Sequence, residues 1–176
     1  GNGFQTEPLP QQGFYKDIVE QSGGKDSIIH DGSSLLLRDE VGIAKKIKSA
    51  KAYITGLGFY EFFINGKRVG DHVLAPAKTP YHKYVLYDSY DVTTLLNQGA
   101  NAFGIHLGNG WYNPYKKWWN EYRMQWFGSK KAIALIRITF TDGTTQTITT
   151  NENWLWAPGP VKYNCVYDGE VYDANL

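Results

Sequence analysis

One cysteine, Cys165, in a chain of 176 residues leaves no internal disulfide to form and no thiolate cluster to hold a metal. Cysteine usage therefore does not report a redox compartment. No apolar run approaches the roughly 20 residues that a membrane span needs, and no charged-then-apolar leader opens the chain. An excess of either charge is missing as well: 18 Lys and Arg stand against 17 Asp and Glu, interspersed along the chain, for a net charge of +1. That balance points away from nucleic acid and from anionic membrane surfaces as partners. Repeat periods, heptads and low-complexity tracts are absent, which removes solenoids and coiled coils. The length fits one domain, or one domain plus an extension.

Signatures of chemistry are equally scarce. His30, His72, His82 and His106 are scattered, with no His-x-His and no His-Glu-x-x-His spacing, so no transition-metal site and no cofactor are expected. Calcium held by loop Asp, Asn and carbonyl groups leaves no fixed spacing and is not excluded. There is no Gly-x-Ser-x-Gly elbow, and Gly56-Leu57-Gly58 and Gly108-Asn109-Gly110 lack the later glycine of a phosphate-binding loop. A glycosidase needs two carboxylates about 5 to 9.5 Å apart. Asp71, Asp88, Asp91, Glu121, Asp168 and Glu170 are the candidates, but Asp91 suits a cap and Asp71 a turn. No pair stands out as acid and base.

What the sequence does contain is a succession of short strand patterns. Residues 1 to 33, with Pro8, Pro10, Gly23-Gly24 and Gly32, read as a leader or N-terminal extension holding one short helical stretch. From residue 34 to 176 the pattern is that of an all-β domain. Strands are expected at Leu35 to Val41, Lys51 to Leu57, Phe59 to Ile64, Lys67 to Val69, Tyr84 to Tyr90, Ala102 to Leu107, Lys131 to Phe140, Thr144 to Thr150 and Val161 to Tyr167. Asn65-Gly66 and Asp142-Gly143 are two-residue hairpin turns. Asp91 is expected to cap a short turn over Val92 to Leu96. Trp154 to Pro160 reads as irregular, and Asp168 to Leu176 as a polar ending. The fold class is an antiparallel β-sandwich or jelly roll.

One segment breaks the pattern. Trp111 to Phe127 holds eight aromatic residues in 17, against 27 in the whole chain, far denser than chance would place them, and core packing is the plain explanation. Trp111, Tyr115, Trp118, Trp119, Tyr122 and Trp126 fall near helical intervals, and Asn113-Pro114 suits a helix start that Gly128 ends. A helical excursion would present one aromatic stripe to a neighbour. An irregular one would form a platform for a sugar ring, with Asn109, Asn113 and Asn120 as hydroxyl partners. Asn109, Trp111, Tyr112, Asn113, Trp118, Trp119, Tyr122 and Trp126 are thus the candidate site, for carbohydrate or for domain docking.

The run from Ala52 to Tyr112 resembles the N-terminal sandwich domain of bacterial α-L-rhamnosidases. Its most specific pieces are Asn65-Gly66-Lys67-Arg68-Val69-Gly70-Asp71, Tyr90-Asp91-Val92-Thr93 with Leu96, and Leu107-Gly108-Asn109-Gly110-Trp111-Tyr112. The likeness extends back to Leu36-Leu37-Arg38 and forward to Gly169-Glu170-Val171-Tyr172-Asp173. It departs at Ala77, where the family commonly has Gly-Trp after the proline of Leu74-Ala75-Pro76. The resemblance implies a secreted or periplasmic glycoside hydrolase whose catalytic acids lie in a separate α/α-barrel, so no catalytic residue carries over. Three readings follow: an accessory domain that binds a rhamnose-containing glycan, with an independent carbohydrate-binding module as its free-standing form; an architectural domain that packs against that barrel without binding sugar itself; and a self-sufficient small enzyme.

Overall fold

The computed structural model describes residues 33–113, 129–166 and 169–175. Eleven strands lie among them: β1 (Leu35–Ile43), β2 (Ile47–Leu57), β3 (Tyr60–Ile64), β4 (Lys67–Arg68), β5 (Asp88–Asp91), β6 (Gly99–Leu107), β7 (Lys131–Phe140), β8 (Thr145–Thr149), β9 (Leu155–Pro158), β10 (Val161–Cys165) and β11 (Gly169–Tyr172). They form a five-stranded sheet in the order β4-β3-β6-β1-β9, a four-stranded sheet in the order β5-β2-β7-β8, and a separate β10-β11 ribbon. Every pairing is antiparallel.

Side-chain alternation decides which face of each sheet is wet. In the five-stranded sheet Tyr60, Phe62 and Ile64 of β3 and Phe103, Ile105 and Leu107 of β6 are buried. In the four-stranded sheet Ala50, Ala52 and Ile54 of β2, Ala134, Ile136, Ile138 and Phe140 of β7, and Ile148 of β8 are buried. Both sets merge into one apolar cluster, which makes the molecule a sandwich. Each large side chain sealed there contributes about 1.5–3 kcal/mol relative to exposure.

The polar residues of the sequence motif close the rims of this core. Asn65 (φ 52°) and Gly66 (φ 76°) form the tight turn between β3 and β4, both in the left-handed region such a turn requires. The Asn65 side chain accepts the Ala102 N–H (2.9 Å) and donates to the Leu95 carbonyl (2.8 Å) and to Asn101 Oδ1 (2.9 Å). Asn101, itself buried, donates back to the Asn97 and Gly99 carbonyls and accepts the Asn97 N–H. Two amides thus hold a hairpin and a neighbouring turn together. In the Asp-Val-Thr piece, Asp91 Oδ1 accepts the Thr93 N–H (2.9 Å), Val92 is sealed in the core, and Thr93 Oγ1 accepts the Ala50 N–H (2.9 Å). The capped turn is a 3-10 turn at Thr93–Leu95, shorter than Val92 to Leu96.

Three sequence expectations are corrected. Of the Tyr84 to Tyr90 run only the part from Asp88 joins a sheet, as β5, because the Tyr84 and Leu86 carbonyls accept the hydroxyls of Thr79 (2.8 Å) and Thr55 (2.6 Å). Within Trp154 to Pro160, Leu155–Pro158 is a strand against β1, with its proline at the end of an edge strand, where a missing N–H is tolerated. The polar ending contains β11, paired with β10 and exposed along its whole length. At the other hairpin, Asp142 accepts Lys45 Nζ (2.8 Å) and the Thr144 N–H (2.9 Å), with Gly143 at φ 83°. The Lys45 and Thr144 hydrogen bonds hold the Asp142 carboxyl well below the usual carboxylate range.

A Cβ added at Gly66 would meet nothing within 4 Å, so the cost of a side chain there is conformational alone. Gly66→Val is expected to destabilise the fold by about 1 kcal/mol or more, a fall in Tm of roughly 2–4 °C. An unchanged melting curve by circular dichroism would remove this turn from the account.

Candidate functional site

The candidate residues begin where β6 ends. Gly108 N–H donates to the Phe59 carbonyl (2.7 Å), pulling the chain against the segment between β2 and β3. Only glycine fits the approach: Gly58 has φ 134° and a Cβ there would collide with the Gly108 carbonyl, while one at Gly110 (φ 56°) would sit 2.8 Å from Phe59 N. Between them Asn109 is fully buried. Its N–H donates to Asn164 Oδ1 (2.6 Å) and its Nδ2 to the Asn164 carbonyl (2.9 Å) on β10. Its Oδ1 accepts Asn113 Nδ2 (3.0 Å) and Lys130 Nζ (2.9 Å). Lys130 is also buried and donates to the Ser33 carbonyl at 2.5 Å. One amide therefore links the end of β6, the β10-β11 ribbon, the approach to β7 and the start of the described chain.

Trp111, Tyr112 and Asn113 follow, all half-buried. The Lys78 ammonium lies 4.6 Å from the Trp111 ring centroid, a cation–π contact. Tyr81 meets Tyr112 edge to face with centroids 5.4 Å apart. Burial raises both phenols above the ordinary tyrosine range. The Asn113 N–H donates to the Asn109 carbonyl (3.1 Å), so Asn113 is turned towards the knot by backbone and side chain alike. Trp118, Trp119, Asn120, Tyr122 and Trp126 lie outside the described residues, as does the helical or irregular course expected for them.

Lys78 and Tyr81 were not among the sequence candidates. Both come from the segment between β4 and β5, which is bound to the sheet by the Tyr60 N–H to Ala75 carbonyl bond (3.0 Å) beside a cis Ala75-Pro76 bond. The one signal for Lys78 was the departure at Ala77, where the family pattern has Gly-Trp. Among the carboxylate candidates, Asp88 accepts Tyr60 OH (2.5 Å) and lies 3.1 Å from His72 Nδ1. Burial, and then the Asp88 hydrogen bond, push the Tyr60 phenol far up. Glu121 and Asp168 lie outside the described residues. No three His, Cys, Asp or Glu side chains form a metal-sized cluster among the described residues.

The sandwich with this corner matches a model described as the α-L-rhamnosidase N-terminal domain, over residues 45–176. The chain belongs to the α-L-rhamnosidase N-terminal domain family. An α-L-rhamnosidase of Formosa agariphila is 41% identical over 142 residues, which are 79% of this chain and 15% of that protein. The native α-L-rhamnosidase of Aspergillus terreus superposes with a TM-score of 0.77 at 38% identity, covering 82% of this chain and 17% of that one. The Streptomyces avermitilis α-L-rhamnosidase complexed with L-rhamnose gives a TM-score of 0.74 at 36% identity, covering 81% of this chain and 14% of that one. The chain thus spans about a sixth of each relative's length. The family match begins in the β1–β2 turn, yet β1 lies between β6 and β9 and pairs with β6 over nine positions.

In this rhamnosidase N-terminal domain the motif residues are bonded inwards. Asn109 in particular offers its amide to Asn164, Asn113 and Lys130 and has no exposed surface. Its amide is bonded to these partners directly before Trp111 to Asn113 in the chain. Asn109→Leu leaves the buried Lys130 ammonium short of an acceptor and is expected to cost about 2 kcal/mol or more, measured by urea unfolding. Adding Lys130→Met should recover part of that loss in a double-mutant cycle, whereas strictly additive costs would say the two side chains do not interact.

Proposed function

We propose that this domain is a non-catalytic accessory domain of an α-L-rhamnosidase-like glycoside hydrolase, packing against the catalytic α/α-barrel of the longer chain and shaping its surroundings. The observation that carries this reading is where the motif's polar groups go. Asn65, Asn101, Thr93 and Asn109 are occupied in holding turns and rims, and a group whose hydrogen bonds are internal is a poor ligand for sugar hydroxyls. Asp88 and Asp91 likewise have internal partners. Glycoside hydrolysis needs two carboxylates facing one bond, with one free to donate a proton.

The alternative is an independent carbohydrate-binding module, and the half-buried Trp111 and Tyr112 rings favour it, since sugars stack on such faces. Lys78 sits over one face of the Trp111 ring and would have to move for a sugar to stack on that face. Two measurements separate the readings. The 176-residue chain should not hydrolyse an aryl α-L-rhamnoside above the buffer rate. Titration with L-rhamnose and rhamnosylated oligosaccharides should leave its tryptophan fluorescence unchanged at millimolar ligand. A saturable change abolished by Trp111→Ala would install the binding-module reading instead, and turnover lost on mutating one acid of this chain would sink both.

A further inference from the structure

The two outer faces of the sandwich differ in kind. The five-stranded sheet turns Arg38, Glu40, Glu61 and Arg68 to solvent, with Glu61 paired to Arg68 at 3.3 Å and the exposed Leu36 and Leu155 interspersed among these charges. Such charges are stable in water and costly to cover. On the four-stranded sheet the outward residues divide along the strands. Towards the 3-10 turn and the Asp142 hairpin they are Lys51, Asp91, Arg137 and Thr147, all exposed. Towards the Leu57 and Lys131 end they become apolar.

Register builds that apolar half. Tyr53 lies opposite Leu135, Thr55 opposite Ile133, and Leu57 opposite Lys131, so these side chains share one face. The strip before β5 extends it: Tyr87 packs edge to face on Tyr53 at 6.0 Å, and the Leu86 carbonyl is held by the Thr55 hydroxyl. Tyr87 is 58% exposed, Leu86 50% and Ile133 46%, while Tyr53, Leu57 and Leu135 are half-buried. The strip is fixed from behind, because Thr79 Oγ1 donates to the Tyr84 carbonyl and the Lys83 N–H to the Pro80 carbonyl (2.7 Å). An ordered apolar surface rimmed by charge, on a domain of this size, marks a partner surface.

We propose that this half-face, built from Tyr53, Leu57, Tyr87, Ile133 and Leu135, is where the remainder of the parent polypeptide docks. The inference rests on the accessory-domain reading and adds the surface to it. The chain spans 15% of the Formosa agariphila relative, so the same polypeptide supplies a large second body at high effective concentration. The occupant is an apolar, sparsely charged surface of that body, matched to a face bordered by Lys131 at one end and by Lys51 and Arg137 at the other.

The test uses the full-length parent protein carrying Tyr87→Glu with Ile133→Glu, and Thr147→Glu on the same sheet as a control. The expected result is that calorimetry of the double variant separates this domain's unfolding from that of the remainder. Proteolytic cleavage of the connection should become roughly tenfold faster, with Thr147→Glu behaving as the unmodified protein. Cross-linking of the unmodified parent, read by mass spectrometry, should join Lys131, rather than Lys45 or Lys67, to the remainder. Unchanged calorimetry and cleavage in the double variant, with cross-links running instead from Lys45 or Lys67, would overturn this face and leave the docking reading standing. An absence of any cross-link between the two bodies would overturn both. A parent that is dimeric and becomes monomeric in the double variant, with unfolding otherwise unchanged, would assign the face to a second copy and overturn the proposal.

Discussion

The corner at Asn109 is the constraint on which the rest of the structure depends. A buried amide must satisfy its donors and acceptors within the protein, because no water reaches it. Here those partners come from β10, from the approach to β7 and from Asn113. Three glycines make the site possible by letting the segments approach closely, and a buried lysine depends on the same amide oxygen. The corner fixes how the ribbon meets the five-stranded sheet and the direction in which the chain leaves at Trp111. The pair of Asn65 and Asn101 does comparable work at the opposite end of β6.

This distribution explains why the motif is so specific to the fold and so uninformative about the sugar. Asn-Gly, Asp-Val-Thr and Gly-Asn-Gly each solve a local backbone problem: a left-handed turn, a capped crossing between sheets, a close approach of two segments. The apolar alternation would build some sandwich from many sequences. The polar rim residues select this one, and their hydrogen bonds are directed inwards.

Much of the fold was legible because its strands are amphipathic and its tight turns carry the residues that positive φ demands. β3 alternates buried and open positions over its whole length, and β6 and β7 do so from Ala100 and Ile133 onwards. β9 was missed because Trp154 to Pro160 holds two prolines and a glycine, and a short edge strand against β1 leaves no stronger signal. β11 was missed because a strand exposed throughout has no alternation to read. The Tyr84 to Leu86 run looked like a strand by composition, and the hydroxyls of nearby Thr79 and of Thr55, 31 residues from Leu86, overrode it. At the candidate site Asn109 read as a group for a ligand because asparagine near tryptophan suits a sugar. Its partner Asn164 is 55 residues away and nothing in the local sequence announces it. Lys78 and Tyr81 were hidden for the same reason.

The account therefore rests on the motif amides acting as architecture. The most direct measurement is Asn101→Ala in the longer protein that the proposed function implies, following both the thermal unfolding of this domain and any hydrolysis of an aryl α-L-rhamnoside well below that transition. Loss of Asn101 removes the acceptor of Asn65 and of the Asn97 N–H. The account predicts a clearly lower melting temperature with kcat and KM unchanged at the lower temperature. An unchanged melting temperature together with a raised KM for a rhamnosylated substrate would contradict it, and would move this residue from the frame to the binding surface.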